Sequence, residues 1–130
     1  RTLRKPIATI TDATGTWHTV PVLAAFLSLQ SIPAIAFGHN NLNPMLAVSA
    51  HGIRYRMFRK RERPYSDIER VDVFRVNRFL TENVVIIFKV GTFAVSFNVG
   101  KKEKLIEVLR LFQQHGVVLS DAARQLLTNG

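Results

Sequence analysis

Apolar and polar residues alternate through most of this chain with the period of two that favours strands, and the period lengthens to 3.6 only near the C-terminus. IATIT (7–11) and TWHTV (16–20) alternate around Asp12-Ala13-Thr14-Gly15, the pattern of a hairpin turning at Gly15. MLAVSA (45–50) alternates, Ala50-His51-Gly52 supplies a turn, and IRYRMF (53–58) alternates again. This second hairpin sets Ile53, Tyr55 and Met57 on one face and Arg54 and Arg56 on the other. The charged run Arg59–Arg63 is expected to turn the chain and Pro64 to break it, after which Ile68–Val76 resumes as a strand with Val71, Val73 and Phe74 inward. Asn83–Val90 is rich in Val, Ile and Phe, and Gly91-Thr92 offers a tight turn. FAVSFNV then sets Phe93, Val95, Phe97 and Val99 against Ala94, Ser96 and Asn98, with Gly100 ending the strand.

In KKEKLIEVLRLFQQHG (101–116) the apolar residues Leu105, Val108, Leu109 and Phe112 fall at helical spacing, and Gly116 stops the helix. Ser120 offers an N-cap for a short helix over Asp121–Leu127, with Asp121 in the first turn where the helix dipole favours a negative charge. The predicted fold class is mainly β (α+β), antiparallel strands closed by a C-terminal amphipathic helix.

One stretch fits neither period. No Asp, Glu, Lys or Arg lies between Asp12 and Arg54, and the centre of that gap is TVPVLAAFLSLQSIPAIAFG, residues 19–38. About 20 mainly apolar residues suffice to cross a bilayer as a helix, and Arg1, Arg4 and Lys5 lie on the N-terminal side. Pro21, Ser28, Gln30, Ser31 and Pro33 lower its hydrophobicity, and Pro33 would kink or end a helix. A buried soluble helix over Leu23–Ile32 is the competing expectation. Trp17 and His18 follow whichever holds, as an interfacial anchor or as ordinary core. The chain divides on this reading into residues 1–41, an N-terminal hairpin with an apolar helix or membrane segment, and residues 42–130, the strand-rich domain. A start at Arg1 without an initiator Met points to a fragment or processed product.

A chain of 130 residues supports one ordinary core. Eighteen Lys and Arg against nine Asp and Glu give a formal charge of +9, which favours anionic partners. The absence of cysteine excludes disulfides and thiol chemistry. His18, His39, His51 and His115 lack metal-ligand spacing and are expected at turns and caps. No serine carries the glycines of a nucleophile elbow, and Gly91 and Gly100 mark strand ends rather than a phosphate loop. The expectation is therefore a non-enzyme with no cofactor and no metal. The most suggestive constellation is the basic hairpin, Arg54, Arg56, Arg59, Lys60, Arg61 and Arg63, a candidate site for an anion or lipid head group. The competing account is a solvated edge whose charges prevent edge-to-edge aggregation, with Glu62 and Glu69 offsetting part of the cluster. Nucleic acid is the weaker fit, because the aromatic residues run in phase with the apolar core pattern.

The stretch LAVSAHGIRYRMFRKRERPYSDIERVDVF (46–74) resembles the bacterial pleckstrin-homology-like (PH-like) domains of small membrane-anchored proteins. The matching residues are Gly52-Ile53 at the first turn, the basic run Arg54–Arg63, and Tyr65-Ser66-Asp67-Ile68 where such domains carry a Trp-Ser-Asp-Ile type signature. The resemblance covers roughly residues 45–127; relatives often carry two transmembrane helices upstream, where this chain has a single apolar stretch. It implies a non-catalytic binding or scaffolding module at the cytoplasmic face of a membrane. The implied partners are an anionic membrane surface or a protein, and a homo-oligomer is compatible with it. In eukaryotic PH domains the corresponding hairpin binds phosphoinositide head groups. The alternative is a cytoplasmic soluble subunit of a larger assembly, contacting an acidic protein surface or nucleic acid. Ser66 and Asp67 have a local role available in either case, accepting backbone N–H bonds at a strand entry.

Overall fold

Val20, Leu46, Val48, Ile53 and Tyr55 from one set of strands meet Ala25, Val71, Val84, Ile86, Phe88, Val95 and Phe97 from another, and all are buried in one continuous core. The computed structural model describes residues 7–13, 15–29, 36–40, 44–56, 59–76, 81–91 and 93–129. Among these residues ten strands form two five-stranded sheets. The first runs β1 (Ala8–Asp12), β2 (Gly15–Val20), β5 (Met45–Val48), β6 (Gly52–Arg56), β7 (Lys60–Pro64) in spatial order. The second runs β4 (Ala36–Asn40), β3 (Ala24–Leu29), β10 (Phe93–Gly100), β9 (Thr81–Phe88), β8 (Ile68–Val76). Every neighbouring pair is antiparallel. Tyr55 joins the sheets across the core, with its ring 6.0 Å from Phe88 and 6.2 Å from Phe97. Such aromatic pairs stabilise by about 1 kcal/mol beyond the area they bury.

The helices α1 (Lys102–Gln114) and α2 (Asp121–Asn129) complete the core. α1 turns Leu105, Val108, Leu109 and Phe112 inward, the stripe its periodicity predicts, and lies against β9 and β10. It begins after a bulge at Asn98/Gly100, where Gly100 takes a φ of +85° and donates its N–H to Asn98 Oδ1 at 2.9 Å. α2 is capped by Ser120, whose Oγ accepts the Ala123 N–H at 3.1 Å and donates to Asp72 Oδ1 at 2.6 Å. The segment before it shields the edge of β8: Val71 N–H donates to the Val118 carbonyl and Ser120 N–H to the Val71 carbonyl, both at 2.9 Å.

The apolar stretch 19–38 corrects the helical expectations, both the membrane span and the buried helix Leu23–Ile32. Its described residues form the end of β2, a corner at Pro21–Leu23, and strands β3 and β4. A charge-free apolar run does not by itself distinguish a helix from a strand buried between two neighbours. Here β10 decides, pairing with β3 over six residues from Phe93↔Leu29 to Asn98↔Ala24. Among the described residues no helix is long and apolar enough to cross a membrane. β2 pairs with β5 and β3 with β10, so each sheet draws strands from both sides of residue 41. The second correction concerns Arg59–Arg63, which was expected as a turn: Lys60–Pro64 is the edge strand β7, and a 3-10 turn at Tyr65–Asp67 leads into β8. The hairpin at Gly15 and the strand Ile68–Val76 form as the alternation predicts, but the inward expectation for Phe74 is corrected: with Val71 and Val73 on the core side, the alternation turns Phe74 to the outer face of the second sheet, against Val85, Ile87 and Ala94. Met57, Thr92 and the side chain of Phe93 lie outside the described residues.

Candidate anion-binding hairpin

β6 and β7 are in register from Gly52↔Pro64 to Arg56↔Lys60, and that register separates the six basic residues by role. Directly opposed residues share a face. Ile53 and Tyr55 face the core, so Arg54 and Arg56 project outward together with Glu62 and Lys60, while Arg61 and Arg63 lie on the core side of the edge strand. The strands approach so closely that a Cβ on Gly52 would stand 2.3 Å from the Arg63 carbonyl oxygen and 2.8 Å from Pro64 Cα. Only glycine fits there, which gives the Gly-Ile at the first turn a physical reason.

Two of the six belong to the fold. Arg54 lies over the Trp17 ring at 4.1 Å from its centroid and forms ion pairs with Asp12 and Glu62, each at 3.2 Å. Its cross-strand neighbour Ala47 is small, which leaves the guanidinium room to pass over β5 toward β1. Trp17 is thereby only 5% exposed, a buried aromatic as the core alternative expected, although it lies on the opposite face of β2 from Val20 and outside the main core cluster. Arg63 donates to Asp67 at 2.9 Å and lies 4.3 Å from the Phe88 ring centroid. Burial works against the Arg63 charge, but bonds to Asp67 and Tyr55 outweigh it and hold its pKa above the usual arginine value. Asp67 therefore uses its carboxylate on Arg63, where a local bond to backbone N–H was expected. Glu69 pairs with the adjacent Arg70 and not with the hairpin. A cavity of about 250 Å³ adjoins Trp17, Gly52, Glu62 and Arg63, and both of its charged residues are already paired.

The other four, Arg56, Arg59, Lys60 and Arg61, form no ion pair with any described residue, and all but the half-buried Arg56 are exposed. Arg56 and Lys60 oppose each other directly across the two strands. Like charges at such a position are destabilising, whereas the next outward pair, Arg54↔Glu62, is matched in sign. The hairpin thus has a neutralised inner half and a tip whose positive charge no described residue compensates.

Behind the hairpin, the Tyr65 hydroxyl donates to the Ser49 carbonyl, and its ring stacks on His115 at 5.6 Å and 17°. Burial raises the Tyr65 pKa and lowers that of His115, to which the charge of His18 adds. His51 lies in the β5–β6 turn and His115 at the C-cap of α1, as expected, but His18 is within β2 and its Nδ1 lies 3.3 Å from the Thr9 hydroxyl. His39 is in β4. Sequence reasoning missed Asp12 and Trp17 as partners of Arg54. Trp17 alone carried a signal, since the alternation of TWHTV puts it on the face opposite Val20. No protein-family model and no curated protein sequence matches this chain.

Proposed function

We propose that this chain is a non-catalytic PH-like module that binds the anionic cytoplasmic face of a membrane through Arg56, Arg59, Lys60 and Arg61. The observation that carries the reading is the Arg56↔Lys60 opposition at the tip of a hairpin whose Arg54 and Arg63 are neutralised from within. A row of lipid phosphates relieves that repulsion at no cost to the fold, because the four side chains have no internal ion pair among the described residues to break. The PH-like assignment draws support from the antiparallel strands β5–β10 followed by α1, which buries its apolar stripe in their core.

The test is co-sedimentation with vesicles of phosphatidylserine and phosphatidylcholine against vesicles of phosphatidylcholine alone. Basic residues near an anionic surface contribute about 1 kcal/mol each, so the triple variant Arg59→Gln, Lys60→Gln, Arg61→Gln should bind about 100-fold more weakly. Raising salt should weaken the parent chain in the same direction. Equal binding to both vesicle types, or a triple variant that binds like the parent, would refute the reading.

A further inference from the structure

A sheet edge presents unpaired backbone N–H and C=O groups that invite another strand unless charge, a bulge or a cover prevents it. The β8 edge is covered by Val118–Ser120 and the β7 edge is lined with charge. Among the described residues β1 has neither protection. All five of its residues are exposed, it pairs only with β2 among the described residues, and its sequence Ala-Thr-Ile-Thr-Asp carries one charge, which Arg54 already meets. Ile10 at its centre is 54% exposed. β-branched residues flanking an exposed isoleucine make a strong strand-pairing segment.

We infer that β1 pairs antiparallel with β1 of a second copy of this chain, about a two-fold axis at Ile10, so that the two first sheets become one continuous sheet. In that register Ile10 opposes Ile10, Thr9 opposes Thr11 and Ala8 opposes Asp12, and no like charges meet. The same operation on β7 would set Glu62 against Glu62 and Arg61 against Arg63, which repel. Identical partners close the joined first sheet at two copies, since it then ends in a charged β7 edge on both sides. Five-residue strands bury less than a standard stable interface, so the dimer is a weak one that forms as concentration rises.

Sedimentation velocity on the 130-residue chain, from low micromolar to about millimolar concentration, should show monomer converting to dimer. Ile10→Lys and Ile10→Glu should each weaken dimerisation about tenfold or more, and their equimolar mixture should restore it, which a folding defect would not do. Because the chain has no cysteine, Ile10→Cys provides a clean positional probe: diamide should link it into a disulfide dimer much faster than Val90→Cys, whose parent residue is 82% exposed. A parent chain that stays monomeric at millimolar concentration would overturn the inference. So would an Ile10→Lys variant that dimerises like the parent, or equal cross-linking at positions 10 and 90.

Discussion

The two edges of the first sheet are strands of equal length and opposite chemistry. β1 is Ala-Thr-Ile-Thr-Asp and β7 is Lys-Arg-Glu-Arg-Pro. Both are exposed along most of their length, yet charge protects one and no described residue protects the other. A single side chain links them. Arg54 sits beside β7, crosses Trp17 on β2, and reaches Asp12 on β1, so the sheet is tied from edge to edge on its outer face. Among the described residues charge thus does two separate jobs: where it is paired it holds the sheet, and at the hairpin tip it has no ion-pair partner.

The largest test of that distinction is at Gly52. A methyl group there meets backbone, not a flexible side chain, so β7 itself must move away from β6. Gly52→Ala should cost about 3 kcal/mol in urea denaturation and accelerate amide exchange along Lys60–Pro64 ahead of Ala8–Asp12. An unchanged midpoint would mean that the close approach of the two strands does not hold in solution.

Next in size is Arg54→Met. The substitution keeps a long apolar stem over the sheet but leaves Asp12 and Glu62 without this partner and uncovers the indole. We expect a loss of about 2 kcal/mol from the stacking and ion-pair contributions together. Trp17 is the sole tryptophan, so its fluorescence reports the site directly and should shift to the red in the folded variant. Vesicle binding by that folded variant should persist, because Arg54 is not among the tip residues.

How much of this was legible beforehand follows from the range of each interaction. Strand Ile68–Val76, the stripe on α1 and the Ser120 cap rest on spacings within one element, and alternation or periodicity announces them. The strand β3 does not rest on such a spacing. Its apolar run satisfies a helix equally well, and only the ladder it forms with β10, some 70 residues away, selects the extended form. The six basic residues were visible as a cluster, but their division into paired and open groups depends on Asp12, 42 residues from Arg54, and on the register of β6 with β7. Contiguity in sequence found the charges; only pairing across strands sorted them.

Smaller in stability, but sharper for the comparison, is Lys60→Glu. It turns the Arg56↔Lys60 opposition into a matched pair like Arg54↔Glu62, and should stabilise the fold by about 0.5 kcal/mol. If the tip charges serve only to keep strands from aggregating, a charge of either sign protects the edge, and anionic vesicles should bind the variant as they bind the parent. If they serve the lipid surface, the more stable protein binds less well. Opposite movement of stability and binding is the expected outcome, measured by urea denaturation and co-sedimentation on the same preparation.

The smallest effect reaches both edges through histidine. His115 stacks on Tyr65, which follows β7, and lies within the influence of His18, which faces Thr9 of β1. Burial first, and the His18 charge second, lower the His115 pKa from its ordinary 6.5, so the folded chain favours the neutral ring while the unfolded chain takes up the proton at its ordinary value. The stability this confers is complete above about pH 6.5 and declines as the pH falls from there toward the lower folded value. Tyr65 gives the alkaline counterpart: burial raises its pKa, so its contribution is complete below pH 10.0 and declines above it. His115→Gln should flatten the acid limb of a thermal-melting profile without altering the alkaline one. An acid limb unchanged by that substitution would place the proton uptake elsewhere. Tyr65→Phe, which keeps the stack and loses the bond to Ser49, should flatten only the alkaline limb.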